Sequence, residues 1–206
     1  MPDVVRTYAV TDSSLYSIVL KGAASDQKTM ELTYVDEITD AAQVGDVMYA
    51  STFSRLLRID LNAKTISAVG SYGVGNINAL TVDRQGQLYA AALDGNLYNV
   101  NTSTGQATKV MNMGYRSSGD LAFAPDGSLY ATVRTSSSAD ALVRIVLATQ
   151  TVQVVGSTGY ADVYGLDYLY GTLYGRTNAG QIITVNPSTG QGTLVRATGL
   201  RFASLP

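Results

Sequence analysis

The sequence predicts an all-β fold, a five-bladed β-propeller with four antiparallel strands per blade. Three observations predict it. A tyrosine recurs at Tyr8, Tyr49, Tyr89, Tyr130 and Tyr174, spaced 41, 40, 41 and 44 residues apart, with 40 more from Tyr174 through the termini back to Tyr8. A second series, Leu15, Leu56, Leu97, Leu142 and Ile182, keeps the same period at 41, 41, 45 and 40, then 39 around the join. Asp-Gly and Thr-Gly turns such as Asp94-Gly95 and Thr104-Gly105 interrupt the chain at hairpin intervals, so no segment is long enough for a helix.

The clearest copy supplies the strands in order. Strands are expected over 80–82, 88–91, 97–100 and 107–110, separated by turns at Asp83–Gly86, Asp94–Asn96 and Asn101–Gly105. Asp83, Asp94 and Asp126 fall in such turns and are read as turn residues. Each repeated tyrosine is followed by a small residue: Ala9, Ala50, Ala90, Ala131 or Gly175. Neighbours on a strand point to opposite faces, so a ring on one blade is expected to meet a small residue on the next.

The whole chain, 1–206, reads as one domain. The blades are expected at about 1–36 plus 199–206, 37–74, 75–115, 116–161 and 162–198. The first is split because Val4–Tyr8 matches a second strand with no first strand before it. Leu200-Arg201-Phe202 matches a first strand with no second strand after it. The C-terminal strand is therefore expected to join the N-terminal blade and close the ring, which removes exposed strand edges.

Composition narrows function. Hydrophobic residues make up 46% and charged residues 15%, which opposes disorder. Net charge is −2 with no basic patch, so nucleic acid is not an expected partner. No run of 18 apolar residues or N-terminal apolar segment occurs, so no membrane span or signal peptide is expected, and the cytoplasm or a virion is the expected setting. The chain has no cysteine and no histidine, which excludes a Ser-His-Asp triad, a cysteine nucleophile and the usual zinc sites. No catalytic residue, metal or cofactor is assigned.

The segments 88–105 and 180–190 share the pattern Gly-x-Leu-Tyr-x-Val-Asn-x-x-Thr-Gly, with Ile182-Ile183 in the Leu-Tyr place of the second. This resembles the quinoprotein-type (PQQ-like) repeat of bacterial β-propellers, over nearly the whole chain. The resemblance implies blade packing and turns. The family docks its blades with tryptophan, which this chain lacks, so no quinone cofactor is carried over.

Candidate binding residues come from position. Asp40, Asp120 and Asp162 fall in loops leading into the innermost strands, around one mouth of the central channel. Asp120 and Asp162 are the candidate ligand carboxylates there. Tyr72, Tyr115 and Tyr160 are read as equivalent loop positions between blades, beside Gly73, Gly114 and Gly159, where rings could stack on a sugar or contact a protein. Arg116, Arg134 and Arg176 are taken as solvated surface. The expected function is a non-enzymatic scaffold that contacts a protein partner, as a subunit or decoration of a larger assembly such as a phage virion or tail. The alternatives are a multivalent glycan-binding propeller using the three tyrosines and, last, a carboxylate-dependent glycoside hydrolase.

Overall fold

The computed structural model describes residues 2–11, 13–34 and 36–202. It is all-β, with five antiparallel sheets arranged as propeller blades. The first blade is β1 (Val5–Val10), β2 (Ser14–Lys21) and β3 (Gln27–Glu31). The second is β4 (Ile38–Val44), β5 (Val47–Thr52), β6 (Arg55–Asp60) and β7 (Thr65–Ser71). The third is β8 (Ile77–Val82), β9 (Leu88–Ala92), β10 (Asn96–Val100) and β11 (Ala107–Asn112). The fourth is β12 (Arg116–Phe123), β13 (Leu129–Arg134), β14 (Ala141–Val146) and β15 (Thr151–Ser157). The fifth is β16 (Val163–Leu169), β17 (Thr172–Thr177), β18 (Gln181–Val185) and β19 (Gly192–Ala197). The turn reading of Asp83, Asp94 and Asp126 holds: each carboxylate accepts the backbone N–H two residues ahead, at 2.9 Å.

Five apolar clusters fill the five junctions between blades, and the tyrosine period explains them. Tyr8 packs with Ala50, Tyr49 with Ala90, Tyr89 with Ala131, and Tyr174 with Ala9. Each of these four clusters thus takes the ring of one blade and the small residue of the next, while Tyr130 packs into the fourth-to-fifth junction. The second series forms the floor of these clusters: Leu15, Leu56, Leu97, Leu142 and Ile182 are all fully buried. Each such side chain contributes about 2 kcal/mol by leaving water. The last cluster joins Tyr174 and Ile182 to Val5, Ile18 and Leu20, so the ring closes between the fifth and first blades.

The closing strand is a correction. Among the described residues the first blade has three strands, and Leu200-Arg201-Phe202 is not a strand. Phe202 is nevertheless buried in the closing cluster. The register shows why the sequence match misleads. Thr198 N–H donates to the Gly180 carbonyl at 2.8 Å, as Thr158 N–H does to Asp140. Leu200 therefore stands at the place of Tyr160, before the inner strand rather than within it. The rest of the expected closing segment, 203–206, lies outside the described residues.

Adjacent blades also dovetail through backbone. Gly70, near the end of β7, lies against Thr104 and Gly105 of the next blade; a Cβ there would stand 2.0 Å from the Thr104 carbonyl oxygen. Gly156, near the end of β15, meets Thr189 and Gly190 in the same way, at 2.2 Å. The flanking bonds match too: Ala107 N–H donates to Tyr72 O and Gly192 N–H to Thr158 O, both at 2.9 Å. The second and third blades thus form a unit repeated by the fourth and fifth. Among the described residues, no helix is long and apolar enough to cross a membrane.

Candidate functional site

The inner strands β4, β8, β12 and β16 stand side by side around the channel. Each carries a β-bulge near its start, between Ile38 and Asp40, Ile77 and Ala79, Ser117 and Leu121, and Val163 and Gly165. The residues just past the irregularity, opposite the second strand's small residue, are Ala41, Leu80, Leu121 and Leu166. The position before each is therefore Asp40, Ala79, Asp120 and Gly165. A bulge re-aims a side chain without breaking the sheet. Here it builds a polar layer inside an otherwise apolar ring.

Asp40 and Asp120 are both buried. Asp40 accepts the N–H of Ala41 at 2.8 Å and, across the blade boundary, that of Leu80 at 2.7 Å. Asp120 repeats the arrangement, accepting the N–H of Leu121 and of Leu166, each at 2.6 Å. Burial raises Asp40 to about 7, against the pull of those amides and of Arg176. Burial also raises Asp120 well above the carboxylate range, and the Asp40 charge adds to it.

Arg176 completes the layer. It is 5% exposed, so its expectation as solvated surface is corrected. It lies on β17 opposite Gly165, and a Cβ on Gly165 would stand 2.3 Å from its Nε. Glycine is required there because the guanidinium occupies the side-chain space. Arg176 pairs with Asp167 and lies 3.6 Å from Asp120. Burial opposes its charge, but Asp167, Asp120 and Asp40 outweigh burial and raise its pKa. Thr7 of β1 donates to Asp167 at 2.9 Å, tying the first blade to the fifth. A cavity of about 490 Å³ borders this layer, with Thr7, Tyr8, Gln43, Thr81, Asp120 and Arg176 in its wall.

The expected site residues separate. Asp120 is in the channel, within β12 rather than in a loop, and Asp40 joins it. Asp162 does not. Its side chain is partly exposed, pairs with Arg134 at 3.3 Å and accepts from the Tyr164 phenol at 3.0 Å. Its φ of 53° is matched by 63° at Asn76, and both carbonyls accept an N–H from the following hairpin, at 2.8 and 3.0 Å. Asp162 therefore shapes the start of an inner strand. Arg134 and Arg116 are exposed, as expected.

The three tyrosines are not equivalent. Tyr72 N–H donates to Ser54 O, the bond that Met113, Thr158 and Thr198 make in later blades. Tyr115 and Tyr160 stand two residues further along. Tyr72 is fully buried, and its phenol donates to Ser51 Oγ at 2.8 Å. Tyr115 and Tyr160 are half-buried against the cores of the third-to-fourth and fourth-to-fifth junctions. The ring of Tyr160 lies over Gly192, where a Cβ would come within 2.8 Å.

Sequence reasoning missed the roles of Arg176 and Asp167. The signal available was Gly165, a glycine inside an inner strand where two other blades carry aspartate.

Fold and channel together define a five-bladed β-propeller. No family model matches the sequence, and no curated protein matches it. Solved structures do match the fold. A chain of the nidogen/laminin complex is similar at a TM-score of 0.62 and 11% identity, covering 95% of this chain and 80% of that one. Hydrazine synthase from Kuenenia stuttgartiensis is similar at 0.54 and 15% identity, covering 80% of this chain and 48% of that one. At these identities the likeness is one of fold.

Proposed function

We propose that this propeller is a non-enzymatic scaffold that binds another protein, as a subunit or decoration of a larger assembly such as a phage virion or tail. The contact surface is the outer rim of the fourth and fifth blades. The observation that carries this reading is a change of residue type at one repeated rim position. Opposite the third strand, just before the outer-strand bulge, stand Lys28, Ala68, Lys109, Val154 and Leu194. Val154 is 45% exposed and Leu194 50%, and Val195 beside it is 43% exposed. Lysine on an outer strand discourages contact with other chains, whereas exposed apolar side chains on adjacent blades favour it. The partner is accordingly a protein face that is apolar and uncharged.

The channel supports the non-enzymatic part of the reading. Its two buried aspartates each accept two backbone N–H groups, which fits acceptors that hold strands together. In this reading the quinoprotein-type repeat serves as a packing pattern and brings no cofactor.

The test is capture of a partner from native extracts by the wild type and by a Val154→Lys, Leu194→Lys double variant. The variant places on two blades the residue that two other blades already carry, so its thermal midpoint stays within a few degrees of the parent. Loss of a defined partner at unchanged stability supports the proposal. Equal capture by both proteins, or a monodisperse monomer with no partner, overturns it.

A further inference from the structure

We propose that the first blade is a gate in the ring, fastened to the fifth blade by Arg196, and that release of this fastener opens the central channel from the side. An uncovered strand carries the argument. In the other four blades every residue of the third strand is paired with the outer strand. In the first blade β3 pairs with β2 only from Ser14 to Ser17, so residues 18–21 of β2 have no ladder on that side. Val19, two residues past Ser17, turns both of its backbone groups to the uncovered side. Its N–H donates to Asp26 Oδ1 at 2.8 Å. Its carbonyl accepts two bonds from Arg196 of β19, from Nε at 3.0 Å and from Nη2 at 2.7 Å. The same guanidinium pairs with Asp26. An arginine of the fifth blade thus takes the place of ladder bonds that β3 does not make. A backbone carbonyl out of water needs a donor, so the end of β2 is satisfied only while the fifth blade is docked.

The remaining attachment of the first blade is thin. The inner strands β4, β8, β12 and β16 stand side by side, and β1 meets β4 and β16 at the two ends of that series. Among the described residues the first blade has no inner strand of its own. A void of about 490 Å³ lies there instead, with Arg6, Thr7 and Tyr8 of β1 in its wall together with Asp120, Asp167 and Arg176. Side chains that face a void give up contacts on that side. The dovetails of Gly70 and Gly156 join the second blade to the third and the fourth to the fifth; among the described residues none joins the fifth to the first. Besides the bonds of Arg196, the polar contact across this junction is Thr7 to Asp167, at 2.9 Å, and the closing cluster around Tyr174, Ile182 and Ile18 supplies the apolar part.

Segments with few buried contacts and few bonds to the rest of a fold open first. When the first blade moves away, the wall made by Arg6, Thr7 and Tyr8 goes with it. Asp120, Asp167 and Arg176 then face solvent, so the polar layer becomes reachable without unfolding the other four blades.

The chain has no cysteine, so one introduced thiol reports opening without background. Ala9 and Ala131 hold the same place in the repeat and are both buried, one in the first-to-fifth junction and the other in the third-to-fourth. Ala9→Cys and Ala131→Cys are made in the full chain, and labelling by excess DTNB is timed with and without Arg196→Gln. The thiol of Ala9→Cys is expected to react about tenfold faster than that of Ala131→Cys. Arg196→Gln removes charge-assisted bonds, so it is expected to speed labelling of Ala9→Cys by a further factor of about ten and to leave Ala131→Cys within about twofold. Equal rates at the two sites overturn the gate. So does an Arg196→Gln change that leaves Ala9→Cys unaffected, or that accelerates both sites alike, which is the mark of global unfolding. Ile182→Cys, with Leu97→Cys as its control, reads the same junction from the fifth-blade side and must give the same order; a protected thiol at Ile182→Cys overturns the gate as well.

Discussion

The Oδ2 atom of Asp120 accepts the backbone N–H of Leu166 at 2.6 Å, a hydrogen bond from β12 to β16 that crosses between blades. Within a blade, strands are joined by their own ladder; between blades, side-chain packing does most of the work. A carboxyl that ties two inner strands is an exception, and its removal exposes its value. Asp120→Ala leaves two buried amides, Leu121 and Leu166, without this acceptor. Each unsatisfied group costs about 1–3 kcal/mol, so a loss of about 3 kcal/mol is expected. Asp120→Asn, which retains an acceptor, should lose less than half of that. Urea unfolding of the two variants checks the order, and an alanine variant as stable as the parent would sink the account.

The dovetail between blades makes a sharper prediction, because it compares two crowded strand glycines with an uncrowded loop glycine. Gly70 and Gly156 both face a carbonyl oxygen of the next blade at a distance no Cβ tolerates. Alanine at either place must push the neighbouring turn away, at about 1–3 kcal/mol or more. Gly75 has open space around its Cβ direction and no positive φ. Gly75→Ala is therefore expected to be neutral or to stabilise by up to about 1 kcal/mol, through the unfolded state. Thermal melts of the three variants separate these outcomes, and uniform effects would mean that close approach is not what selects glycine.

The blade count and the junction cores were legible because both depend on periodicity. Tyr89, Ala90 and Leu97 recur at fixed spacing, and a period of that length has few structural solutions. The closing segment was misread because Leu200-Arg201-Phe202 has the composition of an inner strand. Only the hydrogen bond of Thr198 to Gly180 shows that Leu200 stands six residues before the place of Leu166, the inner-strand leucine it resembles. The polar layer was half legible. Asp40 and Asp120 stood out as carboxyls near inner strands, but their depth follows from bulges that leave no composition signal. Arg176 was unreadable for a different reason. An arginine on a strand is normally solvated, and only its pairing partner across β16, Gly165, makes room for it inside.

Tyr72 is where the sequence reading and the structure differ most. Periodicity groups it with Tyr115 and Tyr160 beside a glycine, and that grouping predicts three similar effects on substitution. The structure predicts three unequal ones. Tyr72 is fully buried at the second-to-third blade junction, and burial pushes its phenol well above the usual tyrosine range. Tyr72→Phe removes the donor to Ser51 Oγ but keeps the ring, at a cost of about 1 kcal/mol. Tyr72→Ala also empties a ring-sized volume from a fully packed junction, and about 4 kcal/mol is expected. Tyr115 and Tyr160 are half-buried, so alanine at either should cost less than half as much. Denaturant titrations of the four variants decide the matter: equal losses for the three alanine substitutions would restore their equivalence, whereas a large loss at Tyr72 alone fixes it as a core residue with no ring to offer a ligand.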